Sequence, residues 1–214
     1  RSGDRLCVSG HQLIRALVHY ESGELLLAEE DLILEPTPFW QASTPLAYRA
    51  GFFTQVLIER GEIDEAEKLI AGTSLNDVQD AHRLHFLYAR GRLRLASDRV
   101  EESLADYLST GGLAESVHVR NPAFVPWRSQ AALALHRLDR RDEARTLAVE
   151  ELELSRAWGA ARTVGISLRA LGLIEGGEAG LGLLRGAGGV LAGSPARLEH
   201  ARAPVDLGAA PRPD

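Results

Sequence analysis

Methionine is absent from the sequence, and lysine and cysteine occur only once each. Because translation begins at methionine, a chain that opens with Arg1-Ser2-Gly3-Asp4 is expected to be part of a longer protein. The single cysteine, Cys7, excludes an intrachain disulfide and fits a reducing compartment. We therefore expect a cytoplasmic fragment, and its 214 residues are enough to bury a core without disulfide bonds.

Long apolar runs and an excess of positive charge are missing as well. No run approaches the ~20 apolar residues that a bilayer-spanning helix needs, and no signal-peptide pattern opens the chain. The 24 basic residues are outnumbered by 30 acidic ones, which gives a net charge of −6. A nucleic-acid-binding chain usually carries a basic footprint. We expect no membrane insertion and no direct contact with nucleic acid.

Sequence motifs for catalysis and metal binding are also absent. A phosphate-binding loop needs a lysine in the pattern G-x-x-x-x-G-K-[ST], but the only lysine, Lys68, lies between Glu67 and Leu69. The patterns G-x-S-x-G and H-E-x-x-H do not occur. Cys7 and His11 are four residues apart, but no third metal ligand lies near them in the sequence. We predict a non-enzymatic chain without a metal site or a cofactor.

The feature that is present is a repeated pattern of two helical runs joined by a Gly or Asp turn. Each second run begins near a small residue, and these residues recur every 36 to 41 positions. Two antiparallel helices need a small side chain where their axes approach most closely, and stacked pairs then cover one another. The spacing is slightly longer than that of a tetratricopeptide unit. The small residues are Ala28, Ala66, Ser103, Ala144 and Gly180.

Spacing within the runs and the placement of proline support the same segmentation. Leu84, Leu87 and Tyr88 recur at steps of three and four, which is typical of a helix face. Proline costs ~3 kcal/mol inside a helix. Pro36 and Pro38 fall at the joint between the first and second repeats, and Pro122 and Pro126 fall at the joint between the third and fourth. Alternating strand patterns are absent. The sequence predicts an all-α fold, a tetratricopeptide-like α-solenoid of about five antiparallel helix pairs that forms one domain over residues 1–214.

The C-terminal fifth of the chain departs from this pattern. Nine of the 21 glycines lie between Gly172 and Gly193, and each weakens a helix by ~1 kcal/mol relative to alanine. A further first helix is predicted over 198–207, but Pro204 is expected to interrupt it, and no partner helix follows. We expect residues 196–214 to form a truncated, disordered last repeat, whose uncapped apolar face offers a surface for self-association.

One stretch resembles a known family of regulators. Asn121–Ser129 reads NPAFVPWRS and is similar to the N-P-A-x-x-P-W-R-S stretch of large ATP-binding regulators of the LuxR type. Asp142–Leu154, Leu168–Gly177 and Leu191–Arg202 also resemble segments of that family. The resemblance is dense from Leu84 to Gly208, which is more than half of the chain.

The resemblance implies a place in a larger protein. In that family the corresponding region lies between an ATPase module and a C-terminal helix-turn-helix, and the maltose-regulon activator is a related architecture with an inducer-sensing helical superhelix. It implies a sensor and scaffold segment whose partners are the ATPase and DNA-binding modules of the parent chain, together with a small-molecule inducer or a protein. The alternative is a stand-alone adaptor that binds a peptide in its groove. A single lysine disfavours a lysine-based carboxylate clamp, although arginine can substitute.

A ligand groove is predicted on the inner face of the first helices. The position of this face on each first helix follows from the sequence distance to the small residue of the same repeat. The face mixes aromatic, polar and charged side chains, as a groove for a peptide or a small molecule does. A plain solvated face is the alternative. Tyr88 and Arg92 lie four residues apart, so that one ligand can contact both. The predicted groove residues are Tyr48, Gln55, Glu59, His85, Tyr88, Arg92, Ser129, Leu133 and His136.

Overall fold

The computed structural model describes residues 2–33 and 43–210, and these ranges contain eleven helices and no strand. The all-α prediction is therefore confirmed for the described residues. The joint predicted at Pro36 and Pro38 and the chain beyond residue 210 lie outside them. The helices are α1 (Ser2–Glu21), α2 (Leu25–Leu32), α3 (Ser43–Arg60), α4 (Ile63–Ala71), α5 (Asp80–Ala96), α6 (Val100–Ser116), α7 (Trp127–Arg137), α8 (Arg141–Trp158), α9 (Ala161–Glu175), α10 (Gly177–Ala192) and α11 (Arg197–Ala209).

The helices form five consecutive pairs, from α1–α2 to α9–α10, and α11 follows them. The first helix of each pair also packs against the first helix of the next pair, from α1 on α3 to α9 on α11. Second helices make no contact with one another in the described part of the chain. An inner layer of closely packed first helices and an outer layer of separated second helices make a superhelix, and its concave face is formed by α1, α3, α5, α7 and α9.

The small residues predicted from the repeat lie at the close contacts between helices. Ala28, Ala66, Ser103 and Ala144 have no exposed surface, and Gly180 is buried. A Cβ atom on Gly180 would lie 2.4 Å from the carbonyl oxygen of Gly172, so only glycine fits there. Helix pairs in this fold therefore approach as closely as their backbones allow.

The turn inside each pair contains a residue with a positive φ angle, and in the fifth pair both Gly176 and Gly177 have one. The φ angles are 78° at Gly23, 77° at Gly61, 62° at Asp98, 56° at Asp139 and 64° at Gly176. Glycine adopts this conformation without steric cost, and aspartate tolerates it better than most other residues. The turn position therefore repeats through all five pairs even where glycine is replaced.

The glycine-rich α10 is a continuous helix because packing compensates for its weak propensity. Its buried leucines, Leu184 and Leu191, face glycines on α9. A Cβ atom on Gly172 would lie 2.9 Å from the Leu184 side chain, and one on Gly165 would lie 2.5 Å from Leu191. Glycine on one helix thus provides the space that leucine fills on the other.

The helix α11 runs through Pro204, where we expected a break. Pro204 is exposed, and the carboxylates of Glu199 and Asp206 on either side of it both bind the guanidinium group of Arg169 on α9. Proline removes one backbone hydrogen bond from a helix, but two ion pairs to one arginine hold the flanking turns in place. This anchoring was not visible in the sequence.

The last described helix also contacts the first. Besides α9 and α10, α11 packs on α1, and Leu198 joins the apolar cluster around Ala16 and Tyr20. Arg202 of α11 forms an ion pair with Glu59 at the end of α3, 143 residues away in the sequence. The C-terminal end that the sequence indicated as uncapped is therefore packed against the N-terminal helices, and the concave face is enclosed on one side.

The repeat register can be tested at Ala144 of α8. Replacing Ala144 by leucine is expected to lower the free energy of unfolding by roughly 1–3 kcal/mol, because the added side chain has no space between the helices. Urea denaturation measures this change. The control is Ala157→Leu at an exposed position of the same helix, which is expected to change stability by less than about 0.5 kcal/mol. Equal stability of Ala144→Leu and the parent would contradict the register.

Candidate ligand site on the concave face

Two adjoining cavities lie on the concave face. The aromatic cavity has a volume of about 140 Å³, and the charged cavity has a volume of about 130 Å³. Tyr20, Gln55, Tyr88 and Arg162 line both of them, so we treat the two as one concave cleft. The aromatic cavity is also lined by Leu17, Glu21, Tyr48, Phe52, His85, Ala123, Phe124, Val125 and Pro126. The charged cavity is also lined by Arg92, Gln130, Leu133, Ile166, Arg169, Glu199 and Arg202.

Aromatic rings surround a buried histidine in the aromatic cavity. The ring of His85 lies 4.9 Å from that of Tyr48, 5.0 Å from that of Phe52 and 4.5 Å from that of Phe124. Burial, with a smaller effect of His82, lowers the pKa of His85 to about 3, so the imidazole is neutral. Its Nε2 atom is buried and has no hydrogen-bond partner among the described residues. This cavity suits an uncharged or aromatic group that can hydrogen-bond one ring nitrogen.

The joint between α6 and α7 supplies one wall of the aromatic cavity. The side chain of Asn121 accepts a hydrogen bond of 2.8 Å from the backbone N–H of Ala123, which turns the chain. Ala123, Phe124, Val125 and Pro126 then line the cavity. Most of this wall comes from the segment that resembles the LuxR-type regulators, but the sequence analysis did not assign the wall to the groove.

A buried arginine organises the charged cavity. Arg92 donates hydrogen bonds to Tyr20 (2.7 Å), Gln55 (3.1 Å) and Glu59 (2.6 Å), which come from α1 and α3. Burial alone would raise the pKa of Glu59, but the charges of Arg92 and Arg202 outweigh it and lower the pKa below its ordinary value. The ionised carboxylate of Glu59, beside the cavity, therefore fixes the guanidinium group of Arg92. Burial raises the pKa of neighbouring Tyr88 to about 12, so its ring is uncharged.

Ion pairs from α9 and α11 complete the charged cavity. Arg169 donates to Glu199 at 2.6 Å and to Asp206 at 2.6 Å. Arg202 pairs with both Glu199 and Glu59, while Arg162 of α9 pairs with Glu21 of α1. Buried charges are stable only when they are paired, and these pairs link helices that are far apart in the sequence.

The structure brings most of the predicted groove residues together. Tyr48, Gln55, His85 and Tyr88 line the aromatic cavity, and Gln55, Tyr88, Arg92 and Leu133 line the charged cavity. Glu59 does not line either cavity, but it binds two arginines that do.

Ser129 and His136 lie elsewhere. Ser129 is fully buried and lines neither cavity, because α7 presents Gln130 and Leu133 to the cleft and consecutive helix residues are rotated by about 100°. His136 lies one turn beyond Leu133, and the two share a separate apolar cavity of about 410 Å³ near Ala209 at the end of α11.

The predicted groove residues include none from α1, α9 or α11, although all three helices line the cleft. Tyr20 belongs to α1, Arg162 and Arg169 belong to α9, and Glu199 and Arg202 belong to α11. The inner face was counted only in the second to fourth repeats. Continued into the fifth, the same count reaches Arg162 and Arg169, whose spacing of seven is helical. No sequence signal identified the α11 residues, because their place depends on the curvature of the whole superhelix.

A larger cavity of about 420 Å³ lies outside the cleft, between α6, α7 and α8. The guanidinium group of Arg128 lies 4.4 Å from the ring centre of Trp127. Arg128 also forms ion pairs with Glu150 at 2.9 Å and with Glu151 at 3.7 Å. Glu151 is fully buried, and neither carboxyl oxygen has a hydrogen-bond partner among the described residues. Burial raises the pKa of Glu151 to about 8. Trp127 belongs to the core.

The buried carboxyl of Glu151 makes stability depend on pH. Its pKa rises from an ordinary 4.5 to about 8 on folding, so its contribution to stability is complete below pH 4.5 and is lost as the pH rises through 8. Each unit of that difference corresponds to ~1.4 kcal/mol. Glu151→Gln, which stays neutral, is expected to be more stable than the parent above about pH 8.

Urea denaturation at several pH values measures this difference. The control is Glu153→Gln at an exposed position of the same helix, which should follow the parent at every pH. A parallel pH dependence of Glu151→Gln and the parent would show that Glu151 is ionised in the fold.

Two further observations limit the kinds of site present. None of the described helices is long and apolar enough to cross a membrane. Across residues 2–33 and 43–210, no group of three or more His, Cys, Asp or Glu side chains is placed to hold a metal ion.

The fold defines the class of protein: an α-solenoid of tetratricopeptide-like helix pairs with a cleft on its concave face. Among solved structures, it is similar to the apo form of the quorum sensor NprR from B. thuringiensis, with 17% identity and a TM-score of 0.64 over 97% of this chain. This chain spans only 65% of the length of that protein. It is also similar to BtubC (BKLC) from P. vanneervenii, with 14% identity and a TM-score of 0.52 over 96% of this chain and 95% of that one.

These similarities support the helical-repeat fold. No protein-family model matches the chain, and no curated protein matches it.

Proposed function

We propose that this chain is the ligand-binding sensor segment of a larger regulator, and that it binds a peptide or a small molecule in the concave cleft. The observation that carries the proposal is the composition of the cleft. An aromatic cavity with an unpartnered histidine nitrogen adjoins a cavity of fixed charges. Such a pair of cavities binds a ligand with one apolar and one charged end. The similarity in fold to a protein described as a quorum sensor supports a sensing role.

The cleft is placed where binding can be communicated through the superhelix. Its walls come from α1, α3, α5, α7, α9 and α11, so one ligand contacts helices from both ends of the described chain. A ligand shifts a conformational equilibrium only by the difference between its affinities for the two states. Small rotations at each repeat add up in a solenoid, so a ligand that favours one curvature changes the position of the neighbouring modules.

For the parent protein, we propose a cytoplasmic LuxR-type ATP-dependent transcriptional regulator. The support is the resemblance of Asn121–Ser129, part of which forms a wall of the cleft. The partners of this chain are then the ATPase and DNA-binding modules of that parent and the inducer or protein that is sensed. The chain itself is proposed to be non-enzymatic and to need no cofactor.

The second candidate function is a stand-alone adaptor that binds a peptide partner. The arginines of the charged cavity favour it, because arginine binds carboxylates in a bidentate manner. The gene around this sequence separates the two candidates. A phosphate-binding loop encoded upstream and a helix-turn-helix encoded downstream would select the regulator, and their absence would select the adaptor.

Ligand binding by the cleft can be tested with fluorescein-labelled libraries of short peptides and small molecules. We expect the compounds that bind the full chain to bind Phe124→Ala at least about tenfold more weakly, because this ring covers His85. Fluorescence anisotropy measures the affinity. The control is Trp158→Ala, an exposed aromatic residue of α8 outside the cleft, which should bind as the parent does. Equal binding of these compounds to Phe124→Ala and to Trp158→Ala would show that the cleft is not the binding site.

The absence of catalysis is tested separately. We expect the purified chain to release no phosphate from ATP and to bind no specific duplex DNA, because the phosphate-binding loop is missing and the net charge is −6. A phosphate-release assay and an electrophoretic shift assay check this. ATP turnover above a buffer blank would contradict the assignment of hydrolysis to another module.

A further inference from the structure

The carboxylate of Glu199 lies among arginines from three helices. Arg169 of α9 donates a hydrogen bond of 2.6 Å to it, and Arg202 of α11 binds its other oxygen. Glu199 is only 6% exposed. Burial would raise its pKa, but Arg202, Arg169, Arg162 and Arg92 together lower it below the ordinary value. An ionised carboxylate is thus held inside the fold by positive charge.

Most of this charge comes from the first helices of the repeats. Arg92 lies on α5 and Arg162 and Arg169 lie on α9, and we call these three residues the arginine cradle. Arg92 already donates to Tyr20, Gln55 and Glu59, and therefore acts on Glu199 through its charge. Arg169 provides donors directly, while Arg162, whose Nε pairs with Glu21, acts on Glu199 through its charge. The cradle therefore combines a direct carboxylate donor with two further positive charges, as an anion-binding site requires.

The helix that supplies Glu199 buries few of its side chains. Of its residues only Glu199 and Ala203 are buried, and Val205 is 68% exposed. Pro204 removes a backbone hydrogen bond from its middle. Its attachment combines the packing of Leu198 on α1 with ion pairs, and an external anion can replace the ion pairs.

We propose that the arginine cradle is the anion subsite of the ligand cleft, and that Glu199 is an internal occupant of this subsite. The external ligand is a peptide that places an acidic side chain or its C-terminal carboxylate on the cradle and displaces α11. Without α11, the three arginines of the cradle face the two carboxylates of Glu21 and Glu59, so the subsite has a net positive charge. This inference rests on the proposed function, because it assumes that the concave cleft binds a ligand.

The test uses the full chain and a labelled synthetic peptide with the sequence of residues 197–209. In the parent chain the attached α11 competes with the peptide. In Glu199→Gln, which keeps the shape and removes the charge, the cradle has lost its internal carboxylate. We expect the peptide to bind this variant at least about tenfold more tightly than the parent, and binding to weaken with salt. Glu178→Gln, an exposed position of α10, is the matched control and should behave as the parent does.

Two further binding experiments identify the chemical group that the cradle recognises. The same peptide with glutamine in place of its glutamate is expected to bind neither chain, and equal binding would overturn the role of the carboxylate. Inorganic phosphate at millimolar concentration is expected to leave the peptide bound. Complete displacement by phosphate would show that the cradle takes free anions rather than a peptide.

Two outcomes separate this proposal from the proposed function. If library compounds bind in a manner that depends on Phe124 while Glu199→Gln has no effect on the peptide, the cleft binds ligands and the anion subsite is wrong. If neither variant changes any binding, both proposals are wrong. Circular dichroism checks folding. Should Glu199→Gln not fold, Asp206→Asn removes the second carboxylate that Arg169 binds and is expected to give the same change in direction, and no change would overturn the proposal.

Discussion

The close approach of two helices at a small side chain is the constraint on which the other features of this structure depend. A Cβ atom on Gly180 of α10 would lie 2.4 Å from the carbonyl oxygen of Gly172 on α9, so only glycine fits there. A buried small residue recurs once in every pair and limits how closely its two helices pack. The curvature that results brings Arg202 to Glu59 and so forms the charged cavity. A larger side chain at one contact would change both the packing of that pair and the shape of the cleft.

The cleft combines two environments that recognise ligands in different ways. Around His85, aromatic rings and an uncharged imidazole favour apolar groups, and the energy available there comes from burial. Around Arg92, each buried charge is paired, and leaving one partner without the other would be costly. A ligand of the charged cavity must therefore replace an existing pair rather than add to an empty surface. This requirement gives specificity, since only a group with the correct charge and geometry can make the exchange.

The sequence was informative wherever the structure follows from neighbouring residues. Ala66 and Ala144 mark the helix contacts, and the turn positions at Gly61 and Asp139 separate the helices of a pair, because packing and turns are local. The inner face predicted from the repeat includes Tyr88 and Arg92 for the same reason. It misplaced Ser129, because the face of α7 in the cleft is one residue further along the helix.

Other features depend on the sum of many small rotations. No local pattern tells that residue 202 meets residue 59, or that Arg169 binds a carboxylate on each side of Pro204. The prediction of a break at Pro204 was based only on the helix propensity of the segment itself. The arginine that forms ion pairs with this segment belongs to another repeat. Long-range contacts of this kind determine the position of α11 and the composition of half of the cleft.

The contact between α1 and α11 has a consequence for how the molecule unfolds. In an open solenoid each repeat touches only its neighbours, so the ends can unravel without affecting the middle. Here Leu198 packs on the apolar cluster of the first helix, and Arg162 of the fifth repeat pairs with Glu21 of the first. Loss of either end removes contacts from the other. The closed arrangement makes the described helices a single cooperative unit, in which local stability is shared between residues at opposite ends of the chain.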